Sequence, residues 1–462
     1  MASSSSSSSH DSMKVLEQSR VSPSPASVAP QPASLPLTFF DILWLYTSPV
    51  ERLFLYPFPH STVVFTESYL PNLKSSLSLA LHHFYPLAGK LRRSPDSPAD
   101  LYELHYEEGD SVSLTVAETD LDFLDLVGYH ARDSNKLSSL VPRLLEIDVD
   151  NRPLLAIQVT LFPDHGIGIG FTVHHAACDG FNSTHFIKSW ASSCKSSGHV
   201  SLVPPAPSFD RSVIVDPCNL YSEFLRDMNS FIADNNPVLV LAAVESAPSN
   251  LVHATFTLAP DRIEGLKTLV RSKAKSFNCS TFVVSCAYLW TCIVKARGYQ
   301  ADKTARFSFA VDWRKRLQPP TPDTYFGNCL GGCFAEAMVG DLVQEDGIIA
   351  AAEAIGRAIE VLKGGVSKCF SGFVPRVFAL LVAECPPLSV AGSPKFKVYD
   401  VDFGWGRPLK VEVPSIKETG ALSLSDSRDV QCGLEIGLVL PKHDMEALVT
   451  MFEEGLSFSD LC

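Results

Sequence analysis

Residues 167–180 read IGIGFTVHHAACDG, and this stretch decides how the surrounding chain folds. Over its first eight residues, apolar side chains alternate with small or polar ones, which is the pattern of a β-strand. The preceding run, Leu155–Phe162, is also strand-like, and PDHG at 163–166 supplies the turn of a hairpin. Apolar residues at helical spacing then predict a helix over Ser183–Cys194. His175 is therefore predicted to lie in a turn between a strand and a helix.

The residue types of this turn suit proton transfer to and from a hydroxyl. An imidazole near its own pKa at cellular pH is a good general base, and small residues at 176 and 177 leave room for a substrate. Asp179 either orients the ring of His175 or braces the turn by pairing with a cation elsewhere. The alternative is a buried histidine that ends a strand and has no catalytic role. The adjacent His174 leaves the strand on the opposite face, which predicts a structural role and disfavours a shared metal ion.

A second motif, DFGWG at 402–406, combines an acid, two glycines and a tryptophan in a stretch that fits neither a helix nor an ordinary strand. Its Asp-Phe-Gly matches an element of protein kinases. No glycine-rich phosphate loop precedes it and no His-Arg-Asp loop accompanies it, so the kinase interpretation fails. The other interpretation is a buried structural turn in which backbone groups or an arginine satisfy Asp402.

The composition excludes several classes of function. The chain has 462 residues with 38 basic against 51 acidic side chains, a net charge of -13 that disfavours binding to nucleic acid or anionic membranes. No window approaches the roughly 20 apolar residues of a membrane span, and Pro237–Val244 is predicted to be buried core or a crossover edge. The cysteines form no CxxC pair and no metal-ligand spacing. These features predict a reduced, cytoplasmic protein without a metal site.

Helical and strand-like segments are mixed along the chain without regular alternation, which favours an α+β fold over a doubly wound parallel sheet. The serine-rich residues 1–14 are predicted to be a disordered tail, with order beginning near Leu35. A helix is predicted over Ser68–Phe84, and a domain boundary near the polar stretch that ends at Pro237. Four segments are predicted in the second half: strands over Ala254–Ala259, Arg306–Asp312 and Glu435–Leu440, and a helix over Thr281–Lys295 that is capped by residues 278–280.

Five motifs resemble, in their order and spacing, those of the BAHD family of plant acyl-CoA-dependent acyltransferases. They are LTFFD at 37–41, FYPLAG at 84–89, HAACDG at 175–180, VDWR at 311–314 and DFGWG at 402–406. Together they cover nearly the whole chain from about Val15 onward. The resemblance implies two α+β domains similar to chloramphenicol acetyltransferase, over residues 15–220 and 221–462, with a solvent channel between them.

The same resemblance implies roles for individual residues. His175 would be the general base that helps an acceptor hydroxyl attack the thioester of an acyl-CoA, which is a co-substrate and not a permanently bound cofactor. Asp179 would pair with Arg314, and Asp402 would either accept a proton or keep the channel in shape. The coenzyme phosphates would be contacted from a helix start and two loops, by Ser280, Thr281, Arg314 and Lys395.

Two further stretches, TYFGNCL at 324–330 and VAGSPKF at 390–396, resemble the branch of the family that acylates the sugar of anthocyanins, flavonoid glucosides and other phenolic glucosides. Donors in that branch are malonyl-CoA or hydroxycinnamoyl-CoA. Many malonyl-using relatives carry Lys or Arg just after the Asp-Gly of the first motif, but this chain has Phe181. Phe181 either stacks on an aromatic acyl group or packs into the core, and Arg314 or Arg316 would supply the cation for malonate.

We expect malonyl transfer to a small-molecule glycoside by a monomeric enzyme. Hydroxycinnamoyl transfer from coumaroyl-CoA or caffeoyl-CoA to the same acceptors is one alternative. A catalytically silent family member is the other, although His175, Asp179 and Asp402 are all present. A hydrolase is disfavoured because the chain has no Gly-x-Ser-x-Gly nucleophile elbow.

Overall fold

A computed structural model of the chain describes residues 13–25, 33–95, 101–144, 151–197, 205–245, 250–274, 277–381 and 383–458. The predicted disordered tail lies outside these residues up to position 12. The strands within the described residues are β1 (Lys14–Val21), β2 (Ser34–Pro36), β3 (Val50–Pro57), β4 (Lys90–Arg93), β5 (Tyr102–His105), β6 (Val112–Glu118), β7 (Arg132–Asp133), β8 (Arg152–Pro153), β9 (Leu155–Phe162), β10 (Gly166–Val173), β11 (Leu251–Leu258), β12 (Thr304–Asp312), β13 (Leu330–Met338), β14 (Leu388–Ala391), β15 (Lys410–Glu412), β16 (Leu422–Asp426) and β17 (Leu434–Pro441).

Helices alternate irregularly with these strands. The α-helices within the same residues are α1 (Phe39–Ile42), α2 (Thr62–Val64), α3 (Leu70–His83), α4 (Phe123–Leu126), α5 (Ser134–Ser138), α6 (Gly180–Lys195), α7 (Leu220–Glu245), α8 (Pro260–Lys273), α9 (Thr281–Arg297), α10 (Val339–Leu342), α11 (Gly347–Glu360), α12 (Gly365–Phe370), α13 (Phe373–Leu381), α14 (Ile416–Thr419) and α15 (Lys442–Phe458). The α+β class predicted from the sequence is confirmed.

The strands pair into a six-stranded sheet, a seven-stranded sheet and a smaller four-stranded sheet. The first has the order β1-β6-β9-β10-β3-β15, the second β13-β12-β14-β16-β17-β11-β7 and the third β2-β5-β4-β8. Parallel and antiparallel pairs are mixed in both large sheets, for example antiparallel β9–β10 beside parallel β6–β9. This mixture is what an irregular sequence of helices and strands produces.

Most predicted elements are present with shifts of a few residues. The hairpin of β9 and β10 is paired from Leu155 opposite Val173 to Phe162 opposite Gly166. The predicted helix before residue 84 corresponds to α3, which continues from a π-helical turn over Phe65–Tyr69. The helix α9 begins where the polar cap predicted it, because the Ser280 side chain accepts a hydrogen bond from the backbone N–H of Val283.

Two sequence predictions were wrong. Order does not begin near Leu35, because β1 already pairs antiparallel with β6 at the edge of the six-stranded sheet. Its sequence, KVLEQSRV, has charged and polar residues at half its positions, as suits an edge strand, and this hides the strand from a search for apolar runs. The stretch Pro237–Val244 is not a separate buried strand or crossover edge, since it lies within the last half of α7.

Strand β10 places the turn that carries His175. Its eight residues are all buried, because α6 covers one face of the sheet and a loop covers the other. Gly170 allows that loop to approach, since a Cβ atom there would lie 2.3 Å from the carbonyl oxygen of Leu140. The alternating glycines of the sequence therefore mark a buried strand with close backbone contact and not a half-exposed one.

Each half of the chain contributes one strand to the large sheet of the other half. Strand β7, from the first half, pairs with β11, and β15, from the second half, pairs with β3. Buried charges join the exchanged strands: Arg132 in β7 lies 2.7 Å from Glu412 in β15, and His253 in β11 lies 3.0 Å from the same carboxylate. The division at residues 220 and 221 stays a prediction, and α7 begins at that position.

Within the part of the chain that the structure describes, no helix is long and apolar enough to cross a membrane. The same residues contain no group of three or more His, Cys, Asp or Glu side chains arranged to hold a metal ion.

Candidate active site

His175 lies directly after β10, in the turn that leads into α6. Its ring is partly exposed, but its Nδ1 atom is buried and has no hydrogen-bond partner among the described residues. An incoming hydroxyl therefore has access to Nε2. The indole of Trp44 stacks on the imidazole with ring centroids 3.8 Å apart and planes inclined by 6°. This contact fixes the plane of the ring and faces any positive charge that develops on it with an aromatic face.

Burial keeps His175 neutral. The pKa of its imidazole is lowered to about 4, mainly because the charged form loses its hydration in this position. A neutral imidazole has a free lone pair on one nitrogen, which is what a general base requires. The site therefore holds the histidine in its proton-accepting form at cellular pH.

His174 has the structural role that the sequence predicted. Its Nδ1 accepts a hydrogen bond of 3.2 Å from the backbone N–H of Ala176, and its own N–H donates to the carbonyl oxygen of Leu154. Burial lowers its pKa to about 3, so it also stays neutral. The side chain braces the turn on the face opposite to His175.

Asp179 is the N-cap of α6 and lies in a buried ion pair with Arg314. Its Oδ1 accepts from the backbone N–H of Asn182 at 3.1 Å, and its Oδ2 accepts from Nη2 of Arg314 at 2.8 Å. Burial raises the pKa of the Asp179 carboxyl, whereas the Arg314 charge and the Asn182 N–H oppose that rise. The pairing of Asp179 with Arg314 that the family resemblance implied is present.

The ion pair holds a loop that reaches back to His175. Arg314 and the side-chain amide of Asn182 both donate to the carbonyl oxygen of Gly327, at 3.3 and 2.9 Å. The next residue, Asn328, donates from Nδ2 to the carbonyl oxygen of His175 at 2.9 Å. Gly327 has φ +150°, and a Cβ atom at this position would lie 2.0 Å from Nη1 of Arg211, so only glycine fits. Asp179 therefore acts on His175 through this loop and not by direct contact with the ring.

Asp41 completes the support, and sequence reasoning assigned it no role. Its buried carboxylate accepts from the backbone N–H and the Nδ2 of Asn328, at 2.8 and 3.1 Å, and from Thr38 at the start of α1. The helix that Asp41 caps also leads to Trp44. The LTFFD motif thus explains two contacts of the site. A signal was available, since an acid inside an apolar run needs buried donors.

The structure does not bring Asp402 to His175. Its Oδ1 accepts from the backbone N–H groups of Gly404 and Gly406, at 2.8 and 2.9 Å, and its Oδ2 pairs with Lys195 at 2.7 Å. Lys195 ends α6, whereas the turn of His175 precedes the start of that helix. Because α6 has 16 residues, a rise of about 1.5 Å per residue separates its two ends by roughly 24 Å.

These contacts favour the structural interpretation of the DFGWG motif. Burial alone would raise the pKa of Asp402, but the hydrogen bonds from Lys195 and the two glycines outweigh it and lower the pKa. Gly404 and Gly406 have φ of +103° and +91°, which other residues rarely adopt. The rings of Phe403 and Trp405 pack around Tyr56 at 5.9 and 5.8 Å.

We expect Asp402→Ala to lower stability by about 1–3 kcal/mol, the usual cost of buried hydrogen bonds left without an acceptor. Transfer activity measured well below the melting temperature should fall by less than about tenfold, because no proton passes through this carboxylate. Lys195→Met is the matched control: it removes only a half-exposed ion pair and should change stability by less than about 1 kcal/mol. Loss of activity with an unchanged melting temperature would show that Asp402 takes part in chemistry.

The residues proposed for coenzyme binding occupy different settings. Ser280 and Thr281 lie partly exposed at the N-terminus of α9, and Lys395 is exposed in the loop after β14. The start of α9 and this loop share one edge of the seven-stranded sheet, since Phe282 packs on Phe309 at 5.1 Å and Phe309 pairs with a residue of β14. The three residues therefore stay candidates for binding phosphate oxygens.

Arg314 is placed differently from these three. Its guanidinium is 2% exposed, pairs with Asp179 and lies with Cζ 5.4 Å from the ring centroid of Phe181. As placed, it is not available to a coenzyme phosphate or to a malonate group. Arg316 is exposed, and its Nη1 donates to the carbonyl oxygen of Asp312 at 2.7 Å. The prediction that Phe181 packs into the core was wrong, since 45% of this residue is exposed.

Comparison with known proteins gives the class that the fold and this site define. The model of the Transferase family matches residues 12–455, so the chain belongs to this family, the BAHD acyltransferases, and it is an acyl-CoA-dependent acyltransferase. The fold agrees with the crystal structure of vinorine synthase, with a TM-score of 0.67 at 21% identity over 95% of this chain and 98% of that one. The expected fold of two chloramphenicol-acetyltransferase-like domains is confirmed.

Several relatives have an established donor or acceptor in their names. The chain is 38% identical to a malonyl-coenzyme A:anthocyanin 3-O-glucoside-6''-O-malonyltransferase of Dahlia pinnata, over 96% of this chain and 97% of the relative. It is 37% identical to phenolic glucoside malonyltransferase 2 of Arabidopsis thaliana, over 96% and 99%. An agmatine coumaroyltransferase of Arabidopsis thaliana is 36% identical over 95% and 98%.

Proposed function

We propose that this enzyme transfers a malonyl group from malonyl-CoA to a sugar hydroxyl of a phenolic, flavonoid or anthocyanin glucoside, as a cytoplasmic monomer. The observation that carries the chemistry is the neutral His175, which is stacked on Trp44 and held by Asn328 with Nε2 left for substrate. The similarity to two malonyltransferases that act on glucosides supports the donor and the acceptor. The intact support of His175 argues against a catalytically silent family member.

The reaction follows from the position of this ring. Nε2 of His175 accepts the proton of the acceptor hydroxyl as its oxygen attacks the thioester carbonyl carbon of the donor. The new C–O bond forms, the C–S bond breaks, and the imidazolium returns its proton to the coenzyme A thiolate. The donor and the acceptor must both be bound before the proton moves, so positioning supplies a large part of the rate. The face of Trp44 stabilises the transient imidazolium.

A hydroxycinnamoyl donor is the second candidate, and Phe181 is the observation that favours it. Its exposed ring at the start of α6 offers an aromatic surface within two turns of the chain from His175, although it already lies over the Arg314 guanidinium. Stacking on a coumaroyl ring would be worth about 0.5–1.5 kcal/mol. Coumaroyl transfer by a relative of similar identity points the same way.

A competition assay decides between the two donors. The purified enzyme is given a flavonol or anthocyanidin glucoside with equal malonyl-CoA and coumaroyl-CoA, and the products are identified by mass spectrometry. A malonyl adduct supports the proposal, a coumaroyl adduct replaces it with the second candidate, and no adduct with either donor contradicts both.

The pH dependence tests the protonation state of His175. With a pKa of about 4, the ring stays largely neutral at pH 5, whereas an unperturbed histidine near 6.5 would be only about 3% neutral there. We therefore expect the acid limb of kcat/KM to fall below about pH 5. Stability has the same sign: the unfolded state takes up protons on His174 and His175 that the folded state does not, so stability decreases as pH falls from about 6.5 towards 4. An acid limb centred near 6.5 would contradict this description of the site.

A further inference from the structure

Arg52 is a buried cation without a carboxylate partner. It lies in β3 with 7% of its surface exposed, and its Nη1 donates to the hydroxyl of Thr184 in α6 at 2.9 Å. Its Cζ lies 5.7 Å from the ring centroid of Phe396. Among the described residues, no Asp or Glu oxygen lies within ion-pair distance of this guanidinium. Burial lowers its pKa to about 10, so it remains charged at neutral pH.

Other buried arginines of this protein face a carboxylate. Arg132 pairs with Glu412, Arg314 with Asp179, and Arg211 lies 3.6 Å from Asp41. A buried charge without a counter-charge destabilises the folded protein by several kcal/mol, and a cation–π contact and one neutral hydrogen bond offset only part of this. The position of Arg52 is therefore one that an anion from outside the chain would stabilise.

The guanidinium lines a cleft that is open to solvent. The cleft encloses about 280 Å³ including its mouth. Its polar lining comes from the loop after β14 and from β16, and its members near the cation are Gly392, Ser393, Phe396, Ser423 and Ser425. The serine hydroxyls and backbone groups are donors that suit an oxyanion, and no acidic side chain lines the cleft among the described residues.

The cleft adjoins the candidate active site. Phe396 packs on the start of α6, since a Cβ atom at Gly180 would lie 2.9 Å from its ring. Arg52 pairs with Phe171 across β3 and β10, four residues before His175. At about 3.3 Å per residue, this is roughly 13 Å along the strand. A donor whose thioester lies at His175 can place another of its groups near Arg52.

We propose that Arg52 is the cation of an oxyanion subsite for the acyl-CoA donor. This inference rests on the proposed function and deepens it, because the subsite supplies a positive charge where the first motif has Phe181. The oxyanion is either the carboxylate of the malonyl group or a phosphate of the coenzyme, and both are bound by a guanidinium in the same way.

The test compares Arg52→Met with Arg306→Met, the same substitution in β12, where the arginine pairs with Glu336 near the surface. Turnover is measured with malonyl-CoA and with acetyl-CoA, which has the same phosphates and no acyl carboxylate. If Arg52 binds the carboxylate, kcat/KM falls by at least about tenfold for malonyl-CoA alone, the loss expected for one charge-assisted hydrogen bond. If it binds a phosphate, kcat/KM falls similarly for both donors. Unchanged kinetics with both donors would overturn the subsite.

A binding measurement keeps this result separate from the fate of the proposed function. The thermal shift of the wild-type protein is recorded with sodium malonate and with inorganic phosphate, and the same titrations are repeated with both variants. A ligand that binds the folded state raises its melting temperature, and this shift should be present in Arg306→Met and lost in Arg52→Met. Without ligand, Arg52→Met should melt no lower than wild type. No shift in the wild type with either anion would overturn the inference even if malonyl transfer is observed. A shift lost in Arg52→Met would support the subsite even if another acyl group is transferred.

Discussion

Replacing His175 by alanine should lower kcat for acyl transfer by a factor of roughly 10² to 10⁴, the contribution of a positioned general base. The variant still binds both substrates, so KM should change much less than kcat. Its fold should persist, because the side chain makes no hydrogen bond to other described residues and loses only its stack on Trp44. Steady-state kinetics with the donor identified by the competition assay measure the effect.

His165→Ala is the matched control for this variant. His165 lies exposed in the turn between β9 and β10, where its Nδ1 contacts the carbonyl oxygen of Pro163. Removing it should leave kcat unchanged. Normal turnover by His175→Ala would refute the mechanism, because no other side chain in the described turn is placed to accept the proton.

Asp179→Asn should lower both stability and turnover. The amide keeps the size of the carboxylate but leaves Arg314 as a buried cation without its partner, which costs about 3–5 kcal/mol. The loop through Gly327 and Asn328 should then loosen, and the His175 carbonyl loses a fixed donor. Denaturant unfolding measures the first effect, and kcat measured well below the unfolding transition measures the second.

Two comparisons separate positioning from direct catalysis by Asp179. Asp346→Asn removes an exposed ion pair with Lys273 and should cost less than about 1 kcal/mol. Adding Arg314→Leu to Asp179→Asn removes the unpaired cation, so it should restore part of the stability without restoring kcat. A single variant that loses activity at unchanged stability would mean that Asp179 takes part in the chemistry itself.

The sequence predicted the elements around the site better than the contacts within it. Alternating residues and turn signals were enough for the β9–β10 hairpin, and an apolar period was enough for α3 and α6, because these patterns are local. The partner of Asp179 came only from family resemblance, since 135 positions separate it from Arg314 and no local pattern links them. Asp41, Asn328 and Arg52 were not recognised for the same reason: their roles depend on which distant strands the fold brings together.

The predictions that failed also have physical reasons. Strand β1 has a sequence that solvent and one neighbouring strand jointly satisfy, so its apolar content is low. Phe181 was expected in the core because phenylalanine usually is buried, but the start of a helix beside a charged pair left it at the surface. Asp402 was named with the catalytic residues by its motif, and its distance from His175 follows from the length of one helix.

The exchange of β7 and β15 between the two large sheets has a consequence for how the chain can be cut. A fragment that stops near residue 220 would lack β15 and leave β3 as an open edge, and the complementary fragment would lack β7. Separately expressed, neither piece closes its own hydrogen-bonding ladder, and the buried Arg132 and Glu412 would each lose the opposite charge. The enzyme should therefore melt in a single transition and regain activity only when both fragments are mixed, so its two lobes form one cooperative unit.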